Sequence, residues 1–216
     1  MTQTAAGWSC YTPRVLRAYD RLVHGFSNPW IWRCPTQRLV DWYDRHVSAH
    51  HLDIGVGTGY FLDRCRFPRP DPRITLWDAN PHCLHCASHR IARYVPEACC
   101  IDILAPTLPS SGPFDSIGLT YLLHCLPRHA DDKVVLLDRL RRLLSPDGTL
   151  FGATLLAQGV RRGRAARWLM GYYNRRGIFH NATDSLETLA RGLTRSYAQS
   201  EVEVVGCVAL FCARRS

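Results

Sequence analysis

Two apolar rhythms alternate along the chain. Unbroken or period-two apolar runs read as strands, and stretches with apolar positions three and four apart read as helices. Strands are expected where His51-Leu52-Asp53-Ile54 ends an apolar run, over 74–78, 114–120 and 149–154, and in a closing antiparallel hairpin, 201–205 and 208–212, that turns at Gly206. Helices are expected over 36–50, 81–93, 131–144 and 185–193. The third carries Val134, Val135, Leu137, Leu140 and Leu144 with charges between them, and Ser145-Pro146-Asp147-Gly148 stops it. Residues 1–48 precede the first strand and are rich in aromatic rings. Tyr11-Thr12-Pro13 opens a helix there, and Asn28-Pro29 and Cys34-Pro35 mark breaks.

The stretch Asp53-Ile54-Gly55-Val56-Gly57-Thr58-Gly59 joins the first strand to the apolar helix start Tyr60-Phe61-Leu62. Glycine at alternate positions lets the turn visit backbone angles closed to side chains, and lets a ligand lie against bare main chain. The amides at the start of the next helix then face whatever is bound. The spacing is G-x-G-x-G rather than G-x-G-x-x-G, and Asp53 would repel a pyrophosphate. Such a cradle suits a cationic or zwitterionic nucleoside better than a dinucleotide, which disfavours a nicotinamide-dependent oxidoreductase. Asp78 ends the second strand about twenty residues later, where a carboxylate accepts both hydroxyls of a ribose; Ala79 and Asn80 would lie along the nucleoside.

At 216 residues and 24.5 kDa, with 46% hydrophobic residues, the chain fits one domain, 1–216, with an ample core. No basic-then-apolar leader and no apolar run long enough to span a bilayer stand in the sequence, so a soluble cytoplasmic protein is expected. The ten cysteines are scattered through predicted strands and helices and read as reduced, packed side chains. A net charge of +9 invites an anionic partner, yet the charge is dispersed arginine, with Lys133 the one lysine, so nucleic acid is not expected as the partner. His82, Cys83, His85, Cys86 and His89 have ligand-like spacing on helix 81–93. One helix face does not supply four convergent ligands, so no metal is expected.

The glycine stretch closely resembles the first motif of the class I S-adenosylmethionine-dependent methyltransferases. Leu143-Leu144-Ser145-Pro146-Asp147-Gly148-Thr149 resembles that family's turn before its fifth strand, and Cys99-Cys100-Ile101-Asp102-Ile103-Leu104 its third strand. The resemblance spans roughly residues 40–216. It implies an α/β fold: a Rossmann-like, doubly wound, seven-stranded sheet, mostly parallel with a C-terminal antiparallel hairpin and helices on both faces. It also implies S-adenosyl-L-methionine as cofactor. Asp53, Gly55, Gly57, Thr58 and Gly59 would seat the methionyl part and the nucleoside edge, and Asp78, Ala79 and Asn80 the ribose and adenosine. Asp102 and Ile103 would meet the adenine, unless Asp102 only caps the turn toward Pro106. The family's leading helices, here 1–48, cap the cofactor, and its insertion, here 160–195, helps form the acceptor pocket. Tyr11, Tyr19, Trp30 and Tyr173 therefore either line the pocket or pack as core rings.

Ligands of open α/β sheets sit beyond the carboxyl ends of strands, which places Thr120, Tyr121 and His124 at the reacting centre, with Thr120 as a further cofactor-binding residue and Tyr121 as an acceptor-binding one. Leu119-Thr120-Tyr121-Leu122 stands where base-modifying relatives often carry Asn or Asp before Pro-Pro and an aromatic, which argues against base methylation. His124 is either a general base or a pocket wall. The expected function is methyl transfer to a small-molecule acceptor in secondary metabolism. Rival readings are a non-methylating pericyclic or isomerising step on the same fold, a nucleic-acid or protein methyltransferase, and a non-enzymatic adaptor with a retained cofactor site.

Overall fold

A computed structural model describes residues 20–216 of the chain. Tyr11, Tyr19 and the start of the helix expected to open at Tyr11 lie outside the described residues. Seven strands form one sheet: β1 (His50–Ile54), β2 (Arg73–Asp78), β3 (Glu97–Cys100), β4 (Phe114–Thr120), β5 (Leu144–Leu155), β6 (Gln199–Val205) and β7 (Val208–Arg214). Their order is β3-β2-β1-β4-β5-β7-β6. The first five pair in parallel and β7 runs antiparallel to both β5 and β6. Chain direction across the sheet reverses between β1 and β4, which pair Asp53 with Gly118. A crevice opens beyond the carboxyl ends of strands at such a switch point.

Two apolar layers sandwich the sheet. On one side α1 (Thr36–His46), α2 (Tyr60–Arg64), α3 (Pro81–Arg90) and α5 (Arg164–Arg175) bury Leu39, Trp42, Leu62, Cys83, Ala87 and Met170. On the other, α4 (Ala130–Arg141) and α6 (Leu186–Ser196) bury Leu136, Leu137, Leu140, Leu189 and Leu193. The 3.6-residue spacing of those leucines is what turns each helix toward the sheet. Lys133, the one lysine, is buried between α4 and the segment before α6. Its Nζ donates to both carboxylate oxygens of Asp184, at 2.7 and 2.9 Å, and to the carbonyl of His180 at 2.9 Å.

Several expected boundaries shift. The segment Asp20–Trp32 is a wide π-type helix that runs through Pro29, a form enriched near functional sites. Asn28, expected at a break, is instead buried and bridges elements. Its amide nitrogen donates to Thr36 at 3.1 Å and lies 3.5 Å from His24 Nδ1, and its oxygen accepts from the Tyr121 hydroxyl at 3.1 Å. The turn expected to precede the fifth strand is a bulge inside β5: Leu144 pairs with Phe114, but Thr149 pairs with Ser116. Strand β3 stops at Cys100, so Asp102 lies in the following turn rather than at the strand's tip.

Candidate functional site

A cleft of about 150 Å³ lies at the carboxyl ends of β1, β2 and β4. All eleven residues that the sequence assigned to the cofactor border it: Asp53, Gly55, Gly57, Thr58, Gly59, Asp78, Ala79, Asn80, Asp102, Ile103 and Thr120. The turn from β1 to α2 takes φ of 73°, 53° and 72° at Gly55, Gly57 and Gly59, the left-handed region that glycine alone enters freely. A Cβ added at Gly57 would meet nothing within 4 Å, so the main chain there faces open space.

The acids differ in what holds them. Asp53, 4% exposed, accepts from the Tyr43 hydroxyl at 2.8 Å, and His51 Nε2 lies 3.3 Å from the same oxygen. Asp78 takes amide hydrogens from Asn80, at 2.8 Å, and from Gly57 and Val56. Burial nevertheless pushes its carboxyl up to about 6, the amides opposing and Asp53 adding to the rise. Asp102 Oδ1 accepts from the amide of Leu104 at 2.9 Å, so it caps its turn while also facing the cleft. Asn80 caps α3 through the amide of His82 at 2.9 Å. Thr58 turns away from the loop to donate to Asp20 of the leading helix at 2.7 Å, where Arg90 of α3 pairs with the same carboxylate at 2.5 Å.

Among the acceptor candidates, Tyr121 borders the cleft with φ of 61°, a conformation costly for an aromatic residue and concentrated at functional sites. Trp30 is 73% exposed and does not border the cleft. Tyr173 packs on Phe179, ring centroids 4.8 Å apart, and no described residue of 160–195 reaches the cleft wall. His124 also departs from its expected position at the reacting centre. It is 3% exposed and is not among the described lining residues. Its ring meets Phe179 edge-on, centroids 4.6 Å apart, and its Nδ1 accepts from the Leu155 amide at 3.4 Å. Burial, with Lys133 nearby, holds its pKa down at about 3. A neutral ring packed in that way has no route to an acceptor proton. On α3, His82, His85 and His89 face outward while Cys83 faces the core, so those side chains diverge.

Sequence reasoning missed Tyr43, His51 and His24. His24 borders the cleft and stacks on Tyr60 at 4.1 Å, and burial lowers its pKa to about 4 against the pull of Asp20. His51 carried a signal: two residues before Asp53, it shares that residue's face of β1. Tyr43 and His24 come from helices whose approach to the glycine turn has no local signature.

The arrangement fits an adenosyl sulfonium carrying an amino-acid tail. Three carboxylates and a bare glycine floor border the cleft, and no arginine or lysine is among the described lining residues. The chain matches a methyltransferase-domain family model over residues 52–150. It is 36% identical to demethylluteothin O-methyltransferase of Streptomyces thioluteus, over 98% of this chain and 92% of that one. It is 35% identical to a physcion biosynthesis cluster O-methyltransferase of Aspergillus chevalieri, over 100% and 97% of the two chains. Among solved structures, the DhpI–SAH complex superposes with a TM-score of 0.69 at 14% identity, over 99% of this chain and 96% of that one, a likeness of fold.

Proposed function

The chain belongs to the class I S-adenosylmethionine-dependent methyltransferase family, and we propose that the atom it methylates is a hydroxyl oxygen on an uncharged, ring-bearing metabolite. It is an enzyme that moves a methyl group from S-adenosylmethionine to a small molecule. The observation that carries the finer reading is the composition of one cleft. The cleft that every cofactor candidate borders is also lined by Tyr60, Phe61, Tyr121, Leu122 and Leu126. Apolar and aromatic side chains there favour a flat apolar acceptor over a charged one. The names of the two relatives support oxygen as the methylated atom.

In this reading Asp78 accepts the ribose hydroxyls, Asp102 and Ile103 border the adenine, and Asp53 with the glycine turn seats the amino-acid tail. The bound cofactor supplies a methyl that is already electrophilic. The chain's own residues then hold the acceptor in line with it, shed water, and supply carboxylates that balance the cation. His124 has no part in proton transfer; an acidic hydroxyl held in place needs no strong base. The nine free cysteines among the described residues support a reducing, cytoplasmic setting. No helix among the described residues is long and apolar enough to cross a membrane.

The test incubates the purified chain with methyl-labelled cofactor and fractionated extract, then identifies the labelled product by mass and by the atom bearing the label. An O-methyl ether supports the reading. A labelled amine, carbon, nucleic acid or protein contradicts it.

A further inference from the structure

Asp53 presents two oxygens to its surroundings, and among the described residues only one is engaged. Oδ2 is the atom that meets Tyr43, at 2.8 Å, and His51, at 3.3 Å; Oδ1 has no bond to a described residue. A carboxylate only accepts, so His51 Nε2 carries the hydrogen of that contact. The ring's Nδ1 lies 2.8 Å from the Ser116 hydroxyl. Ser116 Oγ in turn accepts from the Ser48 amide at 2.9 Å. A buried row of contacts thus runs from the β1–β4 seam to Asp53. On the other side Thr120, at the cleft wall, bonds the Tyr43 hydroxyl that donates to Asp53.

The neighbouring backbone leaves room for the arrangement. A Cβ added at Gly118, the β4 partner of Asp53, would lie 3.0 Å from Asp53 Oδ2 and 3.2 Å from His51 Cε1. A bare main chain is therefore what β4 provides where acid and imidazole meet. With Oδ2 fixed from two sides, rotation of the carboxyl about its bond to Cβ is stopped, and its other oxygen keeps one direction.

We propose that Tyr43 and His51 are positioning residues for the amino-acid end of the cofactor, which fix Asp53 so that its second carboxylate oxygen receives the ligand's ammonium group. This rests on the reading above that Asp53 faces that end. The ordering is made in the fold before the ligand arrives, so binding does not spend free energy on arranging the acid.

Calorimetric titration of the full chain with two ligands tests it: S-adenosylhomocysteine, which has the amino-acid end, and 5′-methylthioadenosine, which lacks it. Wild-type protein binds the first more tightly. Tyr43→Phe keeps the ring that stacks on Phe61, centroids 5.2 Å apart. It should weaken S-adenosylhomocysteine about tenfold and leave methylthioadenosine within about twofold, the loss of one hydrogen bond to a charged group. His51→Gln should show the same selective loss, and Asp53→Asn should remove the preference for the longer ligand altogether. Circular dichroism checks that each variant folds. Equal losses for both ligands in folded Tyr43→Phe and His51→Gln indicate a structural role and overturn the proposal. A preference that Asp53→Asn abolishes but both positioning variants retain overturns the proposal and leaves the reading of Asp53 intact. No preference in the wild type removes that reading and the proposal with it.

Discussion

Asp78 sets stability against binding, and Asp78→Asn separates the two. In the unfolded chain this carboxyl titrates near 3.8, whereas burial holds it at about 6 in the fold. Between those values the unfolded chain sheds its proton first, so stability from this group is present below about pH 4, falls as pH rises through about 6, and is absent at neutral pH. At 1.36 kcal/mol per unit the gap corresponds to about 3 kcal/mol of strain in the ligand-free protein. Asparagine removes the charge but retains an oxygen for the Asn80 amide, while its amide hydrogens meet the Gly57 or Val56 N–H less well. A net gain of about 1 to 3 kcal/mol follows, or about 3 to 10 °C in melting temperature for a chain of this size. In the opposite sense, losing charge-assisted bonds to two ribose hydroxyls weakens cofactor binding by about 1.5 to 3 kcal/mol, roughly tenfold to a hundredfold. Scanning calorimetry of the ligand-free variant and titration with S-adenosylhomocysteine, both at neutral pH, read the two quantities. A melting temperature that falls, or an affinity that does not change, refutes the reasoning.

The same carboxyl makes cofactor affinity depend on pH. Binding should be flat above about pH 7 and about tenfold weaker at pH 5, where most of the ligand-free protein carries the extra proton, and Asp78→Asn should flatten that slope. Lys133→Met leaves the Asp184 carboxylate buried without its cation, and denaturant melts should show a loss of about 3 to 5 kcal/mol, most of it recovered in Lys133→Met/Asp184→Leu. His124→Gln should leave the rate of methyl transfer within about fivefold of wild type; a loss of a hundredfold or more, the scale of general-base catalysis, would return the proton-transfer role to His124.

How far the fold was legible follows from the range of the signals. The glycine turn, the acids at the strand ends and the leucine periodicity of α4 are local patterns. Each reflects a backbone or burial requirement met within a few residues, and the mostly parallel seven-stranded sheet with its antiparallel hairpin, implied by the family resemblance, agrees with the structure. Boundaries slipped where tertiary contacts decide them. Ser145-Pro146-Asp147-Gly148 reads as a turn, yet pairing with β4 draws it into β5 as a bulge. Asn28-Pro29 reads as a break, yet the bonds of Asn28 to Thr36 and Tyr121 hold the helix through it. His124 failed as a candidate because nearness in sequence to the end of β4 does not fix which way a ring points. Phe179, far along the chain, is what encloses it. The residues around Asp53 were invisible for the same reason: Tyr43 arrives from α1 and Ser116 from the next strand, and their meeting is a property of the packed sheet.

The most direct test of the central claim, that the cleft beyond β1, β2 and β4 takes up S-adenosylmethionine, is titration of the purified chain with S-adenosylhomocysteine followed in a calorimeter. One site per chain, weakened at least tenfold when Asp78 is replaced by alanine, is the predicted result. No heat of binding to a folded chain that has carried no cofactor through purification would contradict it.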